Sequence, residues 1–175
     1  MNMKSCLLMM FLCFPAWGQS WKSIKVQPLT ELRSSQSSEI SFAKEVGQYM
    51  SRYSGRTGYE ACAEICRSSQ GQWAAFIGTI GSHSSCKIEP HCPSGFKPID
   101  KTIHSHPTEK EFVANSVDFM IWGEPYQENY WVKTDDPKLF SDSDFLRPGY
   151  LVVYGQLYFQ NGPKAIVDLG SIQEP

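Results

Sequence analysis

Thr102-Ile103-His104-Ser105-His106-Pro107, followed downstream by Phe140-Ser141-Asp142-Ser143-Asp144, is the part of the chain whose reading decides the fold. On an extended strand, alternate residues face the same side, so His104 and His106 can aim at one metal ion. Pro107 cannot continue a hydrogen-bonded ladder, which ends the strand and leaves the pair at a sheet margin where a cleft can form. Ser141 suits a helix N-cap and puts Asp144 in the first turn, where the helix dipole favours a carboxylate and holds it at a fixed angle. Zinc hydrolases as a rule use three protein ligands and leave a fourth position for water, and His104, His106 and Asp144 make up that number. Each segment also has a plainer reading: two surface histidines at a strand end, and an ordinary capping box.

The rest of the chain sets the context. Met1 to Ser20 reads MNMKSCLLMMFLCFPAWGQS: one early lysine, an apolar run from Cys6 to Phe14, then small residues at Ala16 and Gly18. This is the three-part pattern of a secretory signal peptide over residues 1–18, with an apolar core too short to span a membrane. The expected product is exported, secreted or periplasmic. Cleavage after Gly18 removes only Lys4 among the charged residues and leaves 15 basic against 18 acidic side chains, a net charge of −3. So mild a charge, with no basic stripe, argues against nucleic acid as a partner. No other stretch approaches the roughly 20 apolar residues of a membrane span.

Four cysteines remain in the mature chain: Cys62, Cys66, Cys86 and Cys92. An even number in an exported protein predicts two disulfides, with three pairings open. The alternative is a structural zinc site built from the same cysteines, with His83 or His91 contributing. Its spacing is loose for a zinc finger, and an oxidising compartment favours disulfides.

Periodicity predicts the following order of elements. Residues 19–37 read as an extended arm. Ser38 to Tyr53 has the spacing of an amphipathic helix, and Ser54 to Gly58 reads as a turn. Tyr59 to Cys66 and Gln72 to Ile80 read as strands around a turn at Ser68 to Gly71. A loop from Gly81 to Lys97 leads into a strand from Pro98 to His106. Thr108 to Leu139 reads as irregular, with a helical turn near Val113 to Trp122. A short helix from Ser141 to Leu146, a strand or hairpin over Tyr150 to Gln160, and a strand over Lys164 to Leu169 complete the chain. This order predicts an α/β or α+β sheet domain over residues 38–175.

With both motif blocks in view, the chain resembles the JAMM (MPN-type) zinc metallopeptidase family, whose signature is His-x-His-Pro followed by Ser-x-x-Asp. It is most similar to the JAMM-like domains of bacterial secreted and toxin-associated proteins, in which a Phe-Ser-x-x-Asp segment leads to a Tyr-rich closing strand. The resemblance spans residues 38–170 and is specific in the two motif blocks. It implies a JAMM/cytidine-deaminase-like curved mixed β-sheet with flanking helices, here stabilised by disulfides. It also implies one Zn2+ held by His104, His106 and Asp144, and hydrolysis of a peptide or isopeptide bond. The family's early-strand glutamate falls on Glu60, with Glu64 as the alternative on the same face. Glu60 would act as the base, and Ser141 would donate to the developing oxyanion.

The sequence departs from the family in two places. Ala63 stands where the family has glycine. His106 and Ser141 are 35 positions apart, a far longer spacing than the family's. The excess, residues 108–139, reads as an insertion beside the site, and its Asn115-Ser116-Val117-Asp118 makes Asp118 a second candidate for the third ligand. The implied substrate is a protein or peptide: a cell-wall peptide crosslink or a ubiquitin-like isopeptide. The alternative is a catalytically inactive JAMM-like or disulfide-stapled domain that serves as a protein-binding module.

Overall fold

The first long element shows how local signals meet tertiary packing. In the computed structural model, which describes residues 21–89, 91–134, 136–137 and 140–173, helix α1 runs over Glu39–Thr57. The expected signal peptide lies outside the described residues. The Ser38 side chain caps α1 by accepting from the Ser41 N–H, and Glu39 sits in the first turn where the dipole favours it. Phe42, Ala43, Val46 and Met50, three and four apart, form its buried face. The helix runs a turn beyond its expected end at Tyr53. Of the two glycines in Ser54-Gly55-Arg56-Thr57-Gly58, only Gly58 is left-handed, at φ 71°, and its N–H closes on the Ser54 carbonyl. The apparent turn is therefore the last helical turn and its cap.

Nine strands follow the sequence order: β1 (Gln27–Ser34), β2 (Cys62–Ser68), β3 (Trp73–Thr79), β4 (Phe96–Ser105), β5 (Glu111–Val113), β6 (Trp131–Lys133), β7 (Gly149–Val153), β8 (Gln156–Gln160) and β9 (Ile166–Ser171). Seven of them form a mixed sheet in the order β1-β3-β2-β4-β7-β8-β9. β4 and β7 run parallel, and each of the other neighbouring pairs is antiparallel. The fold is thus α+β. Of the expected N-terminal arm, residues 27–34 form β1, an edge strand along β3, while Trp21–Ser23 is a 3-10 turn. Tyr150 to Gln160 is the hairpin β7–β8, turning at Tyr154 and Gly155. The segment expected to be irregular contains a two-stranded sheet, β5–β6, and a second helix α2 (Ser116–Trp122). These close around their own small apolar cluster of Phe112, Ala114 and Phe119, with Trp122 and Val132.

Helix α1 covers one face of the main sheet. Phe42, Val46 and Met50 pack with Ile65, Ile77, Ile103, Val152 and Leu157, all at most 1% exposed. Full burial of such side chains is worth about 1.5–3 kcal/mol each before the entropy of ordering them is subtracted. This packing orients the metal motif. Ile103 and Ser105 face the helix, so His104 and His106 face the other side. Ser105 holds the strand end from behind: its Oγ lies 2.7 Å from Ser54 Oγ on α1 and accepts from the Ala61 N–H at 3.2 Å.

The cysteines form two disulfides, Cys62–Cys86 and Cys66–Cys92, with Cα separations of 6.0 and 5.8 Å. The thiols are consumed in bridges, which corrects the alternative of a structural zinc site. His91 packs edge-on against Phe76, at 4.9 Å between centroids. The bridges fit an oxidising environment. No helix among the described residues is long and apolar enough to cross a membrane.

Candidate metal centre

His104 is the next-to-last residue of β4, between Cys62 of β2 and Leu151 of β7 in register. It is 5% exposed, and its Nε2 is buried with no hydrogen-bond partner among the described residues. A buried unpaired ring nitrogen is costly, so the site is arranged for a further group at that atom. His106 follows just after the strand. Its Nδ1 lies 2.7 Å from the Pro137 carbonyl, which can only accept, so Nδ1 carries the proton and Nε2 keeps its lone pair. That is the outer-shell arrangement that orients a metal-binding histidine.

Asp144 comes from a 3-10 helix over Asp142–Leu146, a tighter coil than the expected α-helical turn. Its Oδ2 accepts from the Ser141 N–H at 2.7 Å and from the Ser141 hydroxyl at 2.8 Å. The other oxygen, Oδ1, lies 3.6 Å from His104 Nε2. His104, His106 and Asp144 each offer one ligand atom, and these atoms all lie within 4.8 Å of one another. Two imidazole nitrogens and one carboxylate oxygen at this spacing could hold a metal ion. The short helix is held in place by Gln160 of β8. Gln160 is fully buried, and its Nε2 donates to the carbonyls of Asp144 and Arg147.

Glu60 lies two residues before β2 rather than within a strand. Its backbone is fixed on both sides: its N–H donates to the Ser82 carbonyl at 2.9 Å, and its carbonyl accepts from the Thr79 hydroxyl at 2.6 Å. The side chain is buried, with Oε1 3.7 Å from His106 Nε2. Glu64 goes elsewhere. Its Oε1 accepts from Arg147 at 3.2 Å, while Oε2 is buried without a partner. Glu64 pairs with Thr102 whereas Cys62 pairs with His104, so Glu64 stands further along the strands and the alternation that put Glu60 and Glu64 on one face does not bring both to the histidines.

The electrostatics follow from burial. Desolvation pushes the His104 imidazole down to about 4; the nearby His106 adds to this and Asp144 opposes it. Burial also lowers His106, against the opposing pull of the Pro137 carbonyl and Asp144. Both rings are therefore neutral at pH 7, the form that ligates metals. Burial raises the Glu60 carboxyl well above its usual range, and the negative charges of Asp144 and Asp118 raise it further.

Asp118, the second candidate for the third ligand, is not part of the metal group. It caps α2 by accepting from the Asn115 N–H at 2.9 Å, and it also accepts from Ser82 Oγ at 2.7 Å and the His83 N–H at 3.0 Å. His83 Nδ1 lies 2.7 Å from its Oδ2. Burial alone would raise this carboxyl, but the bonds from His83, Asn115 and Ser82 outweigh it and hold it below the usual aspartate range. A carboxyl that titrates lower when folded contributes stability that is complete above the unfolded value of about 3.9 and is lost as pH falls through the folded value. Asp118→Asn is therefore expected to flatten the acid side of a urea-midpoint profile below about pH 5. An unchanged profile would assign the acid sensitivity to other groups.

The metal group, Glu60 and His83 line one cleft of about 1060 Å³, bounded by Gly58, Cys86 and Lys87 on one wall and by Pro137, Phe140 and Ser141 on another. Both Pro137 and Phe112 belong to the inserted segment, so that segment helps to build the cleft. The sequence carried no signal for the roles of the Pro137 carbonyl or Gln160, because each acts through a contact made only by the fold. No protein-family model, curated protein or solved structure matches this chain.

Proposed function

We propose that this protein is an exported zinc-dependent hydrolase of the JAMM type that cleaves a peptide or isopeptide bond. The observation that carries the reading is the buried, unpartnered Nε2 of His104, set within ligand distance of His106 and Asp144, with the Glu60 carboxyl beside them in an open cleft. Two imidazoles and one carboxylate are a donor set that suits zinc and leaves a coordination position open. The seven-stranded mixed sheet with α1 on one face is compatible with the fold that the motif resemblance implies.

Zinc bound there would supply a Lewis acid that lowers the pKa of water toward neutrality and polarises a substrate carbonyl. Glu60 takes the proton of the attacking water and returns it to the leaving amine. Its raised affinity for protons suits both steps, since a carboxyl titrating nearer to neutrality is the better acid–base catalyst. Ser141 stands at the rim with its hydroxyl on Asp144 Oδ2, and it serves the oxyanion by turning off that carboxylate toward the substrate. Pro137 and Gln160 hold the ligands in place. The substrate class is a peptide crosslink of the cell wall or a ubiquitin-like isopeptide, reached outside the cytoplasm.

The test is the metal content of the oxidised, tag-free mature protein beside His104→Ala and Asp144→Ala. The expected result is one zinc per chain, lost in both variants. A metal-free wild type under zinc-replete conditions overturns the hydrolase reading and leaves a disulfide-stapled binding domain.

A further inference from the structure

His83 is the most elaborately fixed polar side chain in the cleft outside the metal group. Phe112 stacks on its ring at 4.3 Å between centroids and 13° between planes. Tyr59 meets it edge-on at 4.8 Å. Its Nδ1 is tied to Asp118, a fully buried carboxylate that also accepts from Ser82, from the His83 N–H and from the Asn115 N–H. The remaining edge, Cδ2 and Nε2, runs past Gly58, where a Cβ would lie 3.4 Å from Cδ2 and 3.8 Å from Nε2. Gly58 also lines the cleft, and Nε2 has neither a hydrogen-bond partner nor a place among the buried unpaired atoms of the described residues.

An ionised carboxylate only accepts, so the shared proton sits on Nδ1, and Nε2 is the ring atom left to face the cleft. A ring stacked on Phe112, touched by Tyr59 and tied at one nitrogen loses little freedom when the other nitrogen is used. We propose that His83 is a substrate-binding residue of this cleft, its Nε2 accepting a hydrogen bond from a backbone amide N–H of a bound polypeptide, with Asp118 as its positioning carboxylate. The proposal deepens the peptide-hydrolase reading and rests on it for the identity of the occupant. It assigns the cleft wall built by His83 and Phe112, with Tyr59 packed against the His83 ring, to substrate recognition. The insertion thereby contributes to the site twice, through Phe112 and Asp118 here and through Pro137 at His106.

The experiment uses zinc-loaded Glu60→Gln protein, labelled with 15N at histidine, and a pool of N-acetylated, C-amidated tetrapeptides as the probe. Capping removes the terminal charges, so a response reports amide groups. The expected free state has Nδ1 protonated and Nε2 bare, and the peptides shift the His83 Nε2 resonance saturably. His83→Phe, which keeps the aromatic stack, is expected to weaken the peptides about tenfold, the upper end for one hydrogen bond, with zinc content unchanged. Three results overturn the proposal: no saturable peptide binding, peptide binding that leaves His83 Nε2 unmoved, or a doubly protonated ring that answers acetate and not the peptides. Zinc content and cleavage by the unsubstituted protein are read separately. A failure of the hydrolase reading therefore appears as missing metal or missing turnover, whereas a failure at His83 appears in its own resonance.

Discussion

Glu60→Gln is expected to bind one zinc ion per chain and to lose hydrolysis by about 10²- to 10⁴-fold, the usual contribution of a positioned acid–base group. The amide keeps the size and shape of the carboxyl, so the backbone bonds of residue 60 to Ser82 and Thr79 need not change. Folding is not expected to suffer. Burial and the charges of Asp144 and Asp118 work against the ionised carboxyl, and a neutral side chain escapes that penalty. The measurement pairs metal content and urea midpoint with turnover of crosslinked cell-wall peptides and Lys-linked ubiquitin dimers. Turnover retained at full zinc occupancy would take the acid–base role away from Glu60. A loss of zinc together with turnover would make Glu60 part of the metal's support.

Removal of the Cys66–Cys92 bridge, by Cys66→Ala with Cys92→Ala, is expected to lower the stability of the oxidised protein by roughly 3 kcal/mol. The bridge closes a loop between residues 26 apart in sequence, and residues 81–89 and 91–92 in that loop carry no helix or strand. Such a segment retains much freedom in the unfolded chain, which the crosslink restricts. For a domain of this size the loss corresponds to a fall in Tm of roughly 6–12 °C. Because the loop carries His83, Cys86 and Lys87 into the cleft wall, peptide binding should weaken along with stability. A urea midpoint that does not move would mean that the loop is held by its packing alone.

The sequence made the candidate metal group legible because its geometry is local. His104 and His106 are two apart on a strand, and Ser141 and Asp144 are three apart at a helix start, so each pair is oriented by backbone periodicity alone. The capping signal at Ser141 was readable for the same reason. The end of α1 was misjudged because Gly55 and Gly58 look alike in sequence; their difference lies in backbone conformation. Glu64 shared the parity of Glu60, but it stands opposite Thr102, further along the strand, where the Arg147 side chain is its partner. Asp118 had almost the right motif, yet Ser82 and His83 captured its carboxylate.

By itself, the sequence determined the kinds of chemistry on offer: a histidine pair on a strand end, a capped aspartate, cysteines in an even number and an amphipathic helix with its face already marked. These are short-range matters, governed by periods of two and 3.6 residues and by which side chains can bond their own backbone. The tertiary structure decided which cysteines pair, which acid stands beside His106, and that the inserted segment folds back to supply Pro137, Phe112 and Asp118. Each of those depends on groups far apart in the chain being brought together by the packing of α1 on the sheet and of the insertion beside it. Local periodicity carries no record of such contacts, because they arise only when the whole chain buries its apolar surface.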